Sequence, residues 1–118
     1  MGNWPLTPID GGAVNYSASP VKTGQKWIDG KDVYRIVVTG TVNGVTYLPI
    51  PETGMDTIVY FSVLTNGGNF LTSTFFGSSV GNLCVASIDR THNRVTINNQ
   101  IGEFNGAAVH VIIDYTKN

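Results

Sequence analysis

The alternation of apolar and polar positions divides the chain at Trp27. Upstream, Pro5, Pro8, Pro20 and the Gly11-Gly12 pair break any period, so residues 1–26 are expected to form an extended lead-in with at most one short strand, near Val14 to Ser17. Downstream, residues 27–118 carry short period-two runs separated by turn residues, and no stretch sustains a 3.6-residue period between helix caps. Val33 to Val42 is rich in β-branched residues, stops at Asn43-Gly44 and resumes as Val45 to Ile50. That pattern predicts a hairpin with a two-residue turn, Val42 opposite Val45 and Gly40 opposite Tyr47, whose ring would cover the glycine. Pro49 and Pro51 have no amide proton to donate, so the second arm is an edge strand or leaves the sheet there.

Thr57 to Thr65 is apolar on both alternating faces, the pattern of a strand covered on each side. Asn66-Gly67-Gly68-Asn69 then supplies turn residues before a run from Phe70 to Phe76, and Gly77 to Asn82 a second loop before Leu83 to Asp89. The turn Asp89 to Asn93 precedes Arg94 to Asn98, where Val95 and Ile97 share one face. In the last run, Ala107 to Tyr115, Val109, Val111, Ile113 and Tyr115 alternate with Ala108, His110, Ile112 and Asp114. Some seven short strands with regular turn signals predict an all-β fold, an antiparallel β-sandwich or jelly roll over residues 27–118. The doubly apolar strands need a cover. Unpaired strand edges in a small domain without disulfides favour another copy of the chain on at least one face.

Composition narrows the function. The 118 residues suit one domain, and 13% charged residues beside 42% hydrophobic ones describe an ordinary core under a weakly charged surface. Seven basic against eight acidic residues leave no basic stripe, which excludes a dedicated nucleic-acid binder. Cys84 is the single cysteine, so no internal disulfide or cysteine zinc site forms, and it is expected as a small buried residue. Residues 1–5 lack the basic start of a secretory signal, and no run of about 18 apolar residues predicts a spanning helix or membrane insertion.

Candidate chemistry is sparse. His92 and His110 belong to no ligand pair; His92 falls in a turn, and His110 is expected as a hydrogen-bonded structural histidine in an apolar strand. Carboxylate pairs such as Glu52 with Asp56 or Asp89 with Glu103 would need tertiary contact, so no catalytic residue is assigned and no enzyme is expected. Gly77 to Gly81 lacks the Gly-Lys-Ser/Thr of a phosphate loop, and the oxygen donors Asp10, Asp89 and Asn93 do not form a calcium loop; no metal or cofactor is expected. What remains is a set of loop aromatics and amides, Tyr16 among them. Trp27, Asn66, Asn69, Asp89, His92 and Asn93 are the ligand candidates. Aromatic faces stack on the apolar faces of sugars while amides and carboxylates pair with hydroxyls, so this set suits glycan recognition. The same residue types also populate turns for conformational reasons alone.

The segment Tyr16 to Arg35, with its Tyr-Ser element, Gly24 and Trp27-Ile28-Asp29-Gly30-Lys31-Asp32-Val33-Tyr34-Arg35, resembles a motif that opens the C-terminal domain of bacteriophage and prophage tail proteins. Val111 to Lys117 is similar to the terminal strand of those proteins, with Asp114 where Glu is frequent. The two blocks bracket about 100 residues. The resemblance implies the head domain of a tail fibre, tail spike or baseplate receptor-binding protein. It also implies a homotrimer joined to the rest of the fibre or baseplate, made in the bacterial host cytoplasm and carried on the virion, where it attaches to host cell-surface glycans. In that setting Trp27 is a packing anchor before it is a sugar platform. Two alternatives stand beside it: a structural domain that trimerises or ends the fibre without touching the receptor, and a polysaccharide depolymerase module.

Overall fold

The computed structural model describes residues 16–65, 84–99 and 105–118. Among these residues, alternating apolar positions become seven strands: β1 (Val21–Lys26), β2 (Asp32–Thr41), β3 (Val45–Pro49), β4 (Met55–Thr65), β5 (Cys84–Asp89), β6 (Arg94–Asn99) and β7 (Ala108–Lys117). They form two antiparallel sheets, ordered β1-β2-β7-β4 and β3-β6-β5. No helix occurs among the described residues, and none is long and apolar enough to cross a membrane. The expected run Phe70 to Phe76, the loops 66–69 and 77–82, Glu103 and the side chain of Cys84 lie outside the described residues.

β7 lies inside its sheet and decides the core. Val109, Val111, Ile113 and Tyr115 point inward and are essentially inaccessible. They pack with Ile36, Val38 and Val63 of their own sheet and with Leu48, Ala86, Val95 and Ile97 of the facing one. Each such side chain contributes about 1.5–3 kcal/mol on burial, which makes the space between the sheets the main source of stability. The antiparallel sandwich anticipated from period-two runs is the fold observed, and Val95 and Ile97 share its inner face.

Asn43-Gly44 does not close the predicted hairpin. β2 pairs with β1 and β7, while β3 pairs with β6 in the other sheet. A two-residue hairpin of the favoured type needs left-handed backbone at both turn residues. Here Gly44 is left-handed, with φ +62°, and Asn43 is not. The link is held from outside: Gly44 N–H donates to Asn105 Oδ1, Val42 N–H to Ala107 C=O, and Gly106 N–H to Val42 C=O. The chain therefore crosses between sheets at this point. Leu48, not Tyr47, covers Gly40, so closely that a Cβ at position 40 would run into Leu48 Cδ2. β3 is an edge strand among the described residues and ends at Pro49, as the missing amide donors anticipated.

Irregularities in β1 and β4 re-aim side chains. In β1 the register slips between Lys22 and Lys26 around left-handed Gly24, and the Thr23 hydroxyl donates to Val33 C=O. The lead-in strand is thus Val21–Lys26, and Tyr16 and Ser17, where one was expected, lie outside any strand. In β4 the register against β7 slips twice, between Met55 and Ile58 and again between Ile58 and Tyr60. Ile58 and Phe61 pack on the core, while Val59 and Tyr60 both line the outer face. A bulge places two consecutive residues on one side of the sheet. The strand that reads as apolar on both faces is one with a phase change.

The two blocks singled out in the sequence lie side by side. Tyr34 pairs with Tyr115 and Arg35 with Asp114 across β2 and β7. The Tyr34 and Tyr115 rings stack with centroids 5.9 Å apart.

Candidate functional site

Among the described residues, polar and aromatic side chains gather in two places. The first is the end of the sandwich holding the β1–β2 and β5–β6 turns. Asp29-Gly30 makes a tight turn in which Gly30 N–H donates to Trp27 C=O, Asp29 Oδ1 accepts Lys31 N–H, and Gly30 is left-handed at φ +89°. Trp27 is half-buried and Ile28 is 91% exposed at the tip. Lys31 Nζ reaches Asp56 Oδ2 at 2.6 Å, and Arg90 donates to the carbonyls of Met55 and Asp56. β4's first turn of chain thus ties the Trp27 turn to the β5–β6 turn. The Lys31 hydrogen bond holds the Asp56 carboxyl below its usual range.

Within the β5–β6 turn the structure brings Asp89, His92 and Asn93 together, with Asp89 and His92 turned on one another and the Asn93 amide turned toward the segment before β4. Asp89 Oδ1 accepts His92 N–H, and Oδ2 lies 2.8 Å from His92 Nδ1 and 3.2 Å from Arg94 Nε. The His92 hydrogen bond lowers the Asp89 carboxyl from its ordinary value. Arg94 in turn lies over the Tyr47 ring, 3.9 Å from its centroid. Asn93 sits at φ 52° and its Nδ2 donates to the carbonyls of Ile50 and Glu52. These contacts make Asn93 a fastener between the turn and the segment entering β4. Asn66 and Asn69 lie outside the described residues.

Glu52 and Asp56 do not form a free carboxylate pair. Asp56 is engaged by Lys31, and Glu52 accepts hydrogen bonds from Tyr115 Oη–H at 3.0 Å and Gly54 N–H, with Lys117 at 3.5 Å. Burial alone would raise the Glu52 carboxyl, but these donors bring it below its ordinary value.

The second place is the outer face of the four-stranded sheet, where a cavity of about 420 Å³ is lined by Tyr16, Gln25, Arg35, Val59, Tyr60, Ile112 and Asp114. Its floor is a bidentate ion pair: Arg35 Nε to Asp114 Oδ1 at 2.7 Å and Nη2 to Oδ2 at 3.0 Å. The Arg35 side chain is 19% exposed and the Asp114 side chain 9%. Asp114, with Tyr16 beside it, raises the guanidinium above its already high value. Tyr16 lies over Arg35, 5.0 Å from ring centroid to guanidinium carbon. Tyr16 and Tyr60 are 66% and 51% exposed, an unusual display of aromatic surface on one sheet face. A second cavity of about 240 Å³ adjoins it, sharing Tyr16 and Ile112 and adding Val37, Leu64 and His110. His110 is therefore an exposed residue of the groove, not a buried structural histidine; Ala108 and Ile112 share its outward phase on β7.

No protein-family model matches this chain, and no curated protein or solved structure matches it. Among the described residues, no three His, Cys, Asp or Glu side chains converge as a metal site.

Sequence reasoning included Tyr16 among loop aromatics but missed Arg35, Tyr60, Gln25 and Asp114. A signal for the pair exists in hindsight: Tyr34-Arg35 and Asp114-Tyr115 carry mirrored order and opposite charge in the two motif blocks, as antiparallel partners would. Tyr60 had no such signal, because its outward position depends on the β4 bulge.

Proposed function

We propose that this domain is the head of a bacteriophage or prophage tail protein and attaches the virion to host cell-surface glycans without catalysis. The observation that carries the reading is the groove in which exposed Tyr16 and Tyr60 flank the Arg35–Asp114 pair. Tyrosine faces offer apolar stacking surface for a sugar ring. The guanidinium retains three N–H donors beyond those in the pair, and each carboxylate oxygen a further lone pair, for neighbouring hydroxyls. The tail-protein part of the reading rests on the resemblance of the two blocks, which pair along β2 and β7.

In this reading the working unit is a homotrimer joined to the rest of the tail fibre or baseplate. Multivalent heads raise avidity without new contacts, so a weak single site suffices. Purified domain incubated with host cells and with isolated wall polysaccharide tests the proposal: saturable binding that competes with phage adsorption is expected, and absence of both overturns it. Light scattering is expected to return three times the 12.7 kDa chain mass. A trimer that binds no glycan would favour the fibre-end reading.

A further inference from the structure

The outer groove is chemically two-sided. One part holds the Arg35–Asp114 pair and the Gln25 amide; the adjoining part is walled by Val37, Leu64 and Ile112, with His110 at its lip. Tyr16 and Ile112 belong to both. From Asp114 to His110 along β7 the groove runs about 13 Å, at roughly 3.3 Å per residue. A sugar bearing hydroxyls alone would leave the apolar part unfilled or bury hydroxyls there without partners. A purely apolar ligand would leave the ion pair covered and its spare donors unmet. A ligand that matches both parts has a polyhydroxyl ring beside a small amide that ends in a methyl group.

We propose that this groove binds an N-acetylated amino sugar, its ring on Tyr60 with hydroxyls toward Arg35, Asp114 and Gln25, and its acetyl methyl between Val37, Leu64 and Ile112. The inference rests on the glycan-binding reading above and adds the sugar class and the site.

Saturation-transfer NMR on the intact chain tests it, with N-acetylglucosamine, N-acetylgalactosamine and N-acetylmannosamine against glucose, galactose and mannose. Transfer is expected to at least one acetylated sugar, strongest at its acetyl methyl, and about tenfold weaker to its parent hexose. Tyr60→Ala is expected to abolish transfer to ring protons. Leu64→Gln is expected to abolish the preference for the acetylated sugar, with both variants retaining the wild-type far-UV and near-UV circular dichroism. Equal transfer to acetylated and parent sugars overturns the acetyl assignment and leaves the glycan reading standing. Ring-proton transfer that persists in folded Tyr60→Ala, together with an unchanged acetyl preference in folded Leu64→Gln, overturns the placement in this groove. Binding of host wall polysaccharide with no transfer to any acetylated sugar overturns the sugar class. If wall polysaccharide also fails to bind, the functional reading itself falls.

Discussion

Arg35 and Asp114, 79 residues apart in the chain, are register partners on β2 and β7 and hold each other by two hydrogen bonds of 2.7 and 3.0 Å. The pair faces away from the main core yet is largely covered, so each charge depends on the other for compensation. Asp114→Ala is expected to cost about 2–3 kcal/mol, below the range for fully buried pairs because Arg35 keeps some solvent. Arg35→Lys keeps the charge, loses the bidentate geometry and is expected to cost about 1 kcal/mol. Urea unfolding of the two variants measures the difference, and wild-type stability in Arg35→Lys would mean that charge alone matters and the bidentate geometry does not.

Gly40 and Leu48 form the close approach between the sheets. Gly40→Ala drives a methyl into the Leu48 side chain and is expected to destabilise by about 1–3 kcal/mol through overpacking. Leu48→Ala leaves a cavity and costs about 2–5 kcal/mol. In the double variant the new methyl occupies space that Leu48 vacated, so the combined loss is expected to be smaller than the sum. Additive losses in denaturant titration would refute the contact as the reason for glycine.

Asn93 tests whether the β5–β6 turn binds or fastens. Asn93→Ala loses both side-chain hydrogen bonds and strains a left-handed residue, with an expected cost of about 2 kcal/mol. Asn93→Gly relieves the strain and recovers part of that loss. Glycan binding per folded molecule is expected to stay at the wild-type level in both, which separates this residue from the groove.

Acid stability follows from four carboxylates held below their ordinary values. Asp32 is lowered by the Lys26 hydrogen bond, Asp56 by Lys31, Asp89 by His92, and Glu52 by Gly54, Tyr115 and Lys117 against the effect of burial. Each protonates more readily in the unfolded chain, so its contribution is complete above about pH 5 and lost as pH falls through the folded-state value. The thermal midpoint is expected to be flat from about pH 5 to 8 and to fall below about pH 4. At the other end, burial and the Glu52 carboxylate push the Tyr115 hydroxyl up, so the unfolded chain loses that proton first and stability declines above about pH 10. A midpoint unchanged between pH 7 and pH 3 would show that these pairs contribute nothing.

The alternation of Val109, Val111, Ile113 and Tyr115, and of Val95 with Ile97, was enough to determine an all-β domain and which side of those strands is buried, because period two is a local consequence of the extended backbone. Turn residues likewise located Asp89 to Asn93. Tertiary structure alone decided the rest. Asn43-Gly44 has hairpin chemistry, yet contacts with Asn105 and Ala107, over 60 residues away, send the chain to the other sheet. The alternation puts His110 on the face opposite Val109 and Val111, but that this second apolar face of β7 leaves it exposed follows only from the sheet arrangement. Tyr60 joins the groove because one bulge shifts β4 by a residue against β7. A one-residue slip exchanges the two faces of a strand, and the partner strand sets that slip. The candidate site is therefore the least legible part of this chain: it is built where two motif blocks at opposite ends meet a bulge that neither contains.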